Sequence, residues 1–479
     1  MNKISKVTGI SVFALVMLMT GSIDSIRNLP ATALFGSALI FFFIFSAITF
    51  LLPTALVSAE LAAAWPKQSG IYHWVRLAFN EKIALLAIWL QWINTMVWYP
   101  TILSFLAGTL AALINPDLAQ NKTYLVSAIL ITFWALTIIN LKGIKISAKF
   151  ASVCAIFGMI IPMTLIIILA AVWLIAGKPL QIHFTAHDML PSFSHSENWI
   201  SLTAIMAAFL GMELAAVHVN DIHEPQKTFP KALLYSVIFI LFTMICGSLA
   251  IAFVLPANQI SLVSGTMQAF ADFLAVYHLK WLLPIVTVMV LVGSFGSVIN
   301  WIISPAKGLL QAGQYGYLPP ILQKTNQYGV AGNLLILQAI LVSVICLAFL
   351  LMPSVNGSYW LLTDLSTQLY MLMYVLLFMA AIYLKYKHPA QARPFVIPGG
   401  NIGMWIVGIA GLIGCLITLI VGFFPPDGIN VGTTLHYEIV FTAGIIAMIL
   451  PVFIFYKKRY DTNTVLHTIN QKNEESYSV

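Results

Sequence analysis

Charged residues are scarce in this chain, and their scarcity excludes a soluble protein. They make up 8% of the 479 residues, while hydrophobic residues make up 60%. Soluble domains contain about 25% charged residues, so we expect a polytopic membrane protein whose main partner is the lipid bilayer. The formal net charge of +7 does not indicate nucleic acid as a partner, because the basic residues are distributed as membrane topology requires.

Cysteine is also rare, and the motifs of common enzyme classes are missing. Cys154, Cys246, Cys346 and Cys415 lie in separate apolar segments, without the spacing of a metal site or a disulfide framework. The sequence has no HExxH, GxSxG or paired-cysteine motif near a membrane face, and it has no P-loop. We therefore expect no enzyme activity, no catalytic residue, no metal site and no cofactor.

Twelve apolar stretches are long enough to cross a bilayer, for which about 20 residues are needed. We number them as spans 1 to 12: 7–34, 36–64, 81–114, 123–140, 149–176, 198–221, 230–255, 281–305, 332–353, 359–386, 402–424 and 436–456. They predict one transmembrane domain over residues 1–456. The short polar stretch 457–479 is predicted to be a disordered cytoplasmic tail.

The basic residues support this number of spans and orient the chain. Of the 23 Lys and Arg residues, only Lys122, Lys178 and Lys280 fall in predicted outer loops, and Arg27 lies within the membrane. The others all fall on the cytoplasmic side, as the positive-inside rule requires. A missed or invented span would invert every later loop, so both termini are predicted to be cytoplasmic.

Spans 1 and 6 are each interrupted near mid-membrane by glycine and an acid. Span 1 contains Gly21 and Asp24, and span 6 contains Gly211 and Glu213. Because a bilayer core offers no water to bare backbone groups, unwound backbone is tolerated there only where it lines a cavity. Broken helices at corresponding positions of two halves indicate the substrate site of a transporter.

The positions of the two breaks also predict the fold. Five spans per repeat is an odd number, so the second repeat begins on the opposite face of the membrane. We therefore predict an all-α protein with an inverted 5+5 repeat. Repeat one covers about 7–176 and repeat two about 198–386, and two extra helices follow at 402–456.

The first break is predicted to run from Thr20 to Ser25, with a second half-helix from Ile26 onward. Pro30 suits the first turn of that half-helix, whose N–H groups and dipole would attract a substrate carboxylate. The alternative is a glycine kink whose polar groups bond to neighbouring helices. The substrate-binding candidates of this break are Thr20, Gly21, Ser22, Ile23, Asp24 and Ser25.

Asp24 and Arg27 lie three residues apart, which places them on one face of a helical turn. Each costs roughly 2.5–3.5 kcal/mol or more at the bilayer centre, and an internal ion pair would offset both costs. We favour this pair as the role of Arg27. Asp24 lies at the edge of the break, and contact with a substrate ammonium is its alternative role.

Glu213 is the only charged residue between positions 198 and 220. Desolvation and a nearby cation have opposite effects on the proton affinity of such an acid, which suits ammonium binding, proton transfer or gating. The alternative is a protonated structural acid. The other substrate-binding candidates of the second break are Phe209, Gly211 and Met212.

Further polar and aromatic residues are weaker candidates for the cavity or a gate, since contacts between helices are the more usual role of such residues. Glu60, at the inner end of span 2, is expected in a cytoplasmic cap or gate, whereas a histidine at position 218 is more often packed. The full set is Arg27, Glu60, Trp98, Tyr99, His218, Asn300, Trp301 and Asp364.

Four segments carry a resemblance to a known family. They are SIRNLP (25–30), PTALVSAELAAAWPKQSGIYHWV (53–75), GMELAAVHVNDIHEPQKTFPKA (211–232) and SPAKGLLQAGQYGYLPP (304–320). Over nearly all spans, in order, the chain resembles the amino acid–polyamine–organocation superfamily, and within it the glutamate/GABA antiporter family. The resemblance implies a leucine-transporter-type fold with alternating access, and exchange of amino acids or their decarboxylated products. It places Glu213 on the acid of the family's broken sixth helix, with a gating or substrate-proximal role.

The chain departs from this family at two places. Many superfamily members carry Gly-Ser-Gly in the first break, where this chain has Ile23, Asp24 and Ser25. The best-known glutamate/GABA exchanger has a long C-terminal plug, whereas the residues after Tyr460 are few and polar. Substrate identity and pH gating are therefore not carried over from the resemblance.

The sequence thus predicts a secondary active amino acid transporter, and we expect an antiporter of glutamate/GABA type in a bacterial inner membrane. Its expected partners are amino acids or amines, with protons as an open second partner. The alternatives are a proton-coupled symporter or uniporter, and a transporter-fold sensor that binds without flux. A channel would need rings of like residues in an oligomer, whereas the polar groups here cluster at one depth.

Overall fold

The computed structural model describes residues 11–66, 70–143, 154, 156–190, 197–216, 218, 222, 224–313 and 315–457. Within these residues the regular elements are all helical, and no β-strand occurs. The all-α class predicted from composition is therefore confirmed. The predicted tail lies outside the described residues from position 458 onward.

Within the described part of the chain, eleven helices are long and apolar enough to cross a membrane. They are Val12–Ala33, Gly36–Ala64, Glu81–Ile114, Lys122–Leu141, Ile156–Ile175, Pro225–Val254, Lys280–Leu310, Gly332–Leu351, Val355–Lys387, Gly400–Val421 and Thr434–Tyr456. Among the described residues, span 6 contains the shorter apolar stretch Trp199–Leu214, and the predicted break lies inside it.

Shorter helices connect several spans. They are Ile71–Ala78, Pro116–Gln120, Ala186–Met189, Ala257–Gln259, Gly265–Val276 and Pro320–Gln323. We call Ile71–Ala78 the span 2–3 helix. Spans 3 to 7, an odd number, lie between it and the helix Gly265–Val276 in the predicted topology. The two helices therefore lie at opposite faces of the membrane.

The first break is shorter than predicted. Span 1 is helical over Val12–Ile23, and the Asp24 N–H still donates to the Thr20 carbonyl at 2.8 Å. Only Asp24 and Ser25 are extended, before the tight turn Ile26–Asn28 and the half-helix Leu29–Ala33. The expectation of unwound backbone from Thr20 to Ile23 was therefore wrong. Glycine costs a helix interior only about 1 kcal/mol, so Gly21 alone does not end the helix.

The second break separates the half-helices Glu197–Ala208 and Met212–Ala216. Gly211 has a φ of +102°, a backbone conformation that residues other than glycine rarely adopt. The chain becomes helical again at once, and the Leu214 N–H donates to the Gly211 carbonyl at 3.0 Å. The predicted break is confirmed, but Glu213 lies in the first turn of the second half-helix rather than in non-helical backbone.

Burial is highest in spans 3 and 10 and lowest in span 12, the last of the extra helices. In the most apolar windows of spans 3 and 10, 72% of the residues are buried, against 11% in span 12. Spans 3 and 10 pack against each other along their length. The core is therefore built from the two repeats, and span 12 lies at the periphery with its apolar side chains outward.

Candidate functional site

A cavity of about 250 Å³ lies between the two breaks. Spans 1, 3, 5, 6, 8 and 10 all contribute to its wall. Its lining includes Gly21, Ile23, Asp24, Ser25, Arg27, Asn28, Asn94, Thr95, Trp98, Cys154, Gly158, Leu210, Gly211, Gly293, Gly296, Trp301 and Tyr370. The structure thus brings the backbone of both breaks to one cavity in the core.

Asp24 and Arg27 both line this cavity but do not form the predicted ion pair. The Thr243 hydroxyl donates to Asp24 Oδ2 at 2.8 Å, whereas Arg27 Nη1 donates to Thr101 Oγ1 at 2.9 Å. The Arg27 guanidinium also lies over the Trp98 ring, 5.4 Å from its centroid. The expected pair was wrong because Asp24 and Ser25 are extended, and extended backbone does not place residues three apart on one face.

Each of these two charged side chains keeps a buried polar atom without a hydrogen-bond partner among the described residues. The atoms are Asp24 Oδ1 and Arg27 Nε. Asp24 is 5% exposed and Arg27 is 8% exposed. Unpartnered polar atoms of buried side chains are rare in native proteins and call for an explanation. A substrate with polar groups of its own would supply the missing partners.

Aromatic side chains form a second part of the wall. The rings of Trp98 and Trp301 lie 5.8 Å apart, and both residues line the cavity. Tyr99 was a candidate for the cavity or a gate, but it lines neither of the two cavities. Its hydroxyl donates to the Trp301 carbonyl at 2.8 Å, and its ring packs against Phe133 with a centroid distance of 4.8 Å. Tyr99 therefore supports the position of Trp301.

Glu213 lines a second cavity, of about 260 Å³, rather than the first. The two cavities share Thr95, Trp301 and Tyr370 in their walls. The second cavity extends to Gly70, at the start of the span 2–3 helix. Glu213 therefore lies on the side of the first cavity that faces this helix, at the boundary between the two cavities.

Three side chains donate hydrogen bonds to the Glu213 carboxylate. The Tyr370 hydroxyl donates to Oε1 at 2.5 Å, and Gln91 Nε2 donates to the same oxygen at 3.2 Å. The Tyr374 hydroxyl donates to Oε2 and itself accepts the Gly211 N–H at 3.0 Å. All three groups donate to Glu213, so the carboxylate form of Glu213 fits the site. Through Tyr374, the carboxylate is also linked to the backbone N–H of Gly211 in the break.

Sequence reasoning missed the residues that hold Glu213. Tyr370 and Tyr374 are four residues apart on span 10, a spacing that puts two side chains on one helix face. That spacing was a visible signal, but nothing in the sequence connects this face of span 10 to span 6. Asn94 was also missed; it lines the cavity and accepts a hydrogen bond from Ser366 at 2.5 Å.

Several other candidates do not lie at either cavity. Thr20, Phe209 and Met212 are buried and line neither cavity; Phe209 packs against Phe43. His218 is half-buried and also lines neither. The side chains of Ser22 and Asn300 lie outside the described part of the structure.

Asp364 was a cavity candidate, but the structure places it elsewhere. It accepts hydrogen bonds from Gln368 Nε2 at 2.9 Å and from the Tyr437 hydroxyl at 2.7 Å. Gln368 also donates to the Thr418 carbonyl in span 11. Asp364 therefore joins span 10 to spans 11 and 12, and the expectation of a cavity position was wrong. Its helix face could not be known before the packing partners were.

Glu60 is the centre of a buried ion cluster at the membrane face that carries the span 2–3 helix. Lys385 Nζ lies 2.5 Å and Arg393 Nε 3.3 Å from Glu60 Oε1, and the Ile397 N–H donates to Oε2 at 2.8 Å. The three charged side chains are less than one-tenth exposed. The cluster ties the end of span 2 to the end of span 10 and to the connection that follows. This arrangement is compatible with the expected position of Glu60 in a cap or gate at this membrane face.

The span 2–3 helix packs over the second cavity through aromatic contacts. The Tyr72 ring lies 5.4 Å from the Tyr315 ring, and the Arg76 guanidinium lies over Tyr315 at 4.4 Å. Burial, and then the charge of Arg76, lower the pKa of His73 below its ordinary value. His73 is therefore neutral at neutral pH, and the helix meets the bundle with the charge of Arg76 alone.

The geometry of Gly211 leads to a prediction about stability. We expect Gly211→Ala to lower the free energy of unfolding by about 1–3 kcal/mol, because a Cβ is strained at this φ. Gly21→Ala is the matched control. Gly21 also lines the cavity, but it is helical, and an added Cβ would meet no atom within 4 Å. Unfolding in mixed detergent and SDS micelles measures both variants, and equal losses would contradict the prediction.

Comparisons with known proteins agree on one class. A family model described as amino acid permease matches residues 10–446. An uncharacterized transporter from Legionella pneumophila is 41% identical over 458 residues, 96% of this chain and 98% of that protein. A glutamate/gamma-aminobutyrate antiporter from Lactococcus lactis is 29% identical, over 95% of this chain and 92% of that protein.

A solved structure supports the fold. The manganese transporter of Eremococcus coleocola, in complex with an aromatic bis-isothiourea substituted compound, superposes with a TM-score of 0.54. The match covers 94% of this chain and 99% of that chain, at 12% sequence identity. At this identity the likeness concerns the fold alone. Together with the family match it confirms the leucine-transporter-type fold that the family resemblance implies.

Proposed function

Because this chain belongs to the amino acid permease family, we propose that it is a secondary active amino acid antiporter of glutamate/GABA type that works by alternating access. The family and the relatives of this chain show that it is an integral membrane transporter. The proposal concerns the exchange mode and the substrate type. We place the protein in a bacterial inner membrane with both termini in the cytoplasm, as the basic residues indicate.

One observation supports the proposal most strongly: both broken helices face a single cavity that contains one acid and one base. Among the described lining residues, Asp24 and Arg27 are the only charged side chains. A zwitterion such as an amino acid carries one charge of each sign. A volume of about 250 Å³ is below the roughly 300–1,000 Å³ of sites for drug-sized ligands, which suits a small solute and not a peptide.

The two adjacent cavities support a path for alternating access. Substrate held at the breaks is separated from the second cavity by Thr95, Trp301 and Tyr370, which line both. Tyr370 is bonded to Glu213, so movement of the second half-helix of span 6 moves the boundary between the cavities. We assign Glu213 a gating role on this ground, rather than direct contact with the substrate.

Counterflow in liposomes tests the exchange mode. Purified protein is reconstituted with one unlabelled amino acid or amine inside, and uptake of the labelled compound is followed at acidic and neutral pH. Uptake that requires an internal counter-substrate supports an exchanger. Saturable uptake into empty vesicles would instead indicate a symporter or uniporter. Binding without any flux would indicate a sensor and would refute the proposal.

Removal of residues 461–479 is expected to leave exchange and its pH dependence within about twofold of the full-length protein. This tail contains few large apolar residues beyond Val465, Leu466 and Ile469, whereas a plug would have to fill the cytoplasmic end of the cavity. Only His467 in it titrates near neutrality. Initial exchange rates against pH measure the effect, and a clear gain of transport at neutral pH in the truncated protein would show that the tail is autoinhibitory.

A further inference from the structure

We infer that Asp24 binds the cationic amino group of the substrate, so that the site requires a protonated amine but does not require a carboxylate. This inference rests on the proposed function in one respect, namely that substrate binds in the cavity between the two breaks. It goes beyond that function by assigning one oxygen atom to one substrate group. It also states which part of the substrate is dispensable.

The surroundings of Asp24 leave one oxygen available to a ligand. Oδ2 accepts the Thr243 hydroxyl at 2.8 Å, while Oδ1 has no partner among the described residues. The side chain lines the cavity and is 5% exposed. The unpartnered oxygen therefore belongs to a buried side chain of the cavity wall, whose other oxygen is held by Thr243 of span 7.

A cation is the ligand that this oxygen lacks. A buried carboxylate is costly unless it is paired with an opposite charge. The nearest candidate in sequence, Arg27, is bonded to Thr101 and packed on Trp98, and Asp24 forms no ion pair with any described residue. A protonated amine that enters the cavity supplies both the charge and the hydrogen-bond donors. Chemically, an alkylammonium group of a small solute fits this position.

Arg27 differs from Asp24 in that its charge already has protein partners. Its guanidinium donates to Thr101 and lies over the Trp98 ring, so two protein groups already stabilise its positive charge, whereas among the described side chains the Asp24 carboxylate accepts only the Thr243 hydroxyl. A solute without an amine, in contrast, leaves Asp24 Oδ1 unpaired. This asymmetry makes the amine obligatory. A carboxylate that meets Arg27 Nε adds affinity but is not needed for binding.

The test compares three solutes with the same four-carbon chain: n-butylamine, γ-aminobutyrate and butyrate. Each is titrated against the purified full-length protein in detergent, and the apparent melting temperature is recorded. A ligand that binds only the folded state raises this temperature in a concentration-dependent way. We expect n-butylamine and γ-aminobutyrate to raise it, and butyrate to leave it unchanged at the same concentrations.

Asp24→Asn is expected to raise the half-saturating concentration of both amines by roughly 10- to 100-fold, as loss of a charge-assisted hydrogen bond does. Asp364→Asn is the matched control. It neutralises another buried acid of the same type, and Asp364 lies away from the cavity between spans 10 and 12. This variant is expected to keep the affinities of the wild type for both amines.

Three results would overturn the inference. They are stabilisation by butyrate equal to that by n-butylamine, no stabilisation by either amine, or unchanged affinities in Asp24→Asn. If Asp24→Asn does not yield folded protein, the comparison of the three solutes on the wild type decides the question alone. Amine-dependent binding without exchange would refute the proposed antiporter but leave this inference standing. Normal exchange with butyrate bound as well as n-butylamine would refute only the inference.

Discussion

Glu60→Ala is expected to lower the free energy of unfolding by about 3–5 kcal/mol, because it leaves buried cations without their counter-ion. Lys385 and Arg393 both bond to the same Glu60 oxygen, and all three side chains are less than one-tenth exposed. The variant also frees the Ile397 N–H, which donates to the second oxygen. Unfolding of the purified protein in mixed detergent and SDS micelles measures the loss.

Lys227→Ala is the control for this prediction. Lys227 pairs with Glu224 at 3.1 Å, but both side chains are more than half exposed, and exposed pairs contribute only about 0–1 kcal/mol. The double variant with Glu60→Ala and Lys385→Met is expected to recover part of the lost stability, since one unpaired cation is removed with the acid. If Glu60→Ala costs no more than Lys227→Ala, the cluster does not hold this face together.

Glu213→Gln is expected to flatten the dependence of exchange rate on pH between acidic and neutral values, with a smaller effect on folding. Glutamine keeps the shape of the side chain but cannot gain or lose a proton. Its amide nitrogen also cannot accept a hydrogen bond from Tyr370 or Tyr374, which both donate to the carboxylate. One unsatisfied buried donor costs about 1–3 kcal/mol. The measurement is the initial exchange rate in liposomes from pH 4.5 to 7.5, together with the melting temperature.

The chain offers two comparisons for the Glu213 variant. Tyr374→Phe removes one donor but keeps the titrating carboxylate, so its rate should still depend on pH. Asp364→Asn removes a buried acid that lies away from both cavities, so its pH profile should overlay that of the wild type. A profile for Glu213→Gln that overlays the wild type would mean that Glu213 is a structural acid.

The positions of the membrane spans and of the two breaks could be predicted because each depends on a short stretch of sequence. A run of about 20 apolar residues has few alternatives to crossing the bilayer, and an acid near a glycine inside such a run has few alternatives to a cavity. The extent of the first break was less predictable. Gly21 remains helical, whereas Asp24 is extended. The residue types alone do not predict at which of these positions the helix ends.

The partners of the charged residues could not be predicted, since they come from distant parts of the chain. Asp24 is bonded to Thr243 of span 7, and Glu60 to Lys385 at the end of span 10. Separations of more than two hundred residues leave no local pattern. The spacing of Asp24 and Arg27 suggested an ion pair only because a helical turn was assumed between them, whereas Asp24 and Ser25 are extended.

The amino-acid sequence by itself determined that this protein has many membrane-spanning helices and that spans 1 and 6 are broken. These properties follow from the cost of placing polar groups in hydrocarbon, which each segment meets alone. Only the tertiary structure decided that Asp24 has a free oxygen in the cavity, that Glu213 is held by two tyrosines of span 10, and that Asp364 lies outside the site. The face that each helix turns to its neighbours decides these contacts. In a chain that is apolar on nearly every side, that face is set by packing between helices and not by the hydrophobic pattern of any one of them.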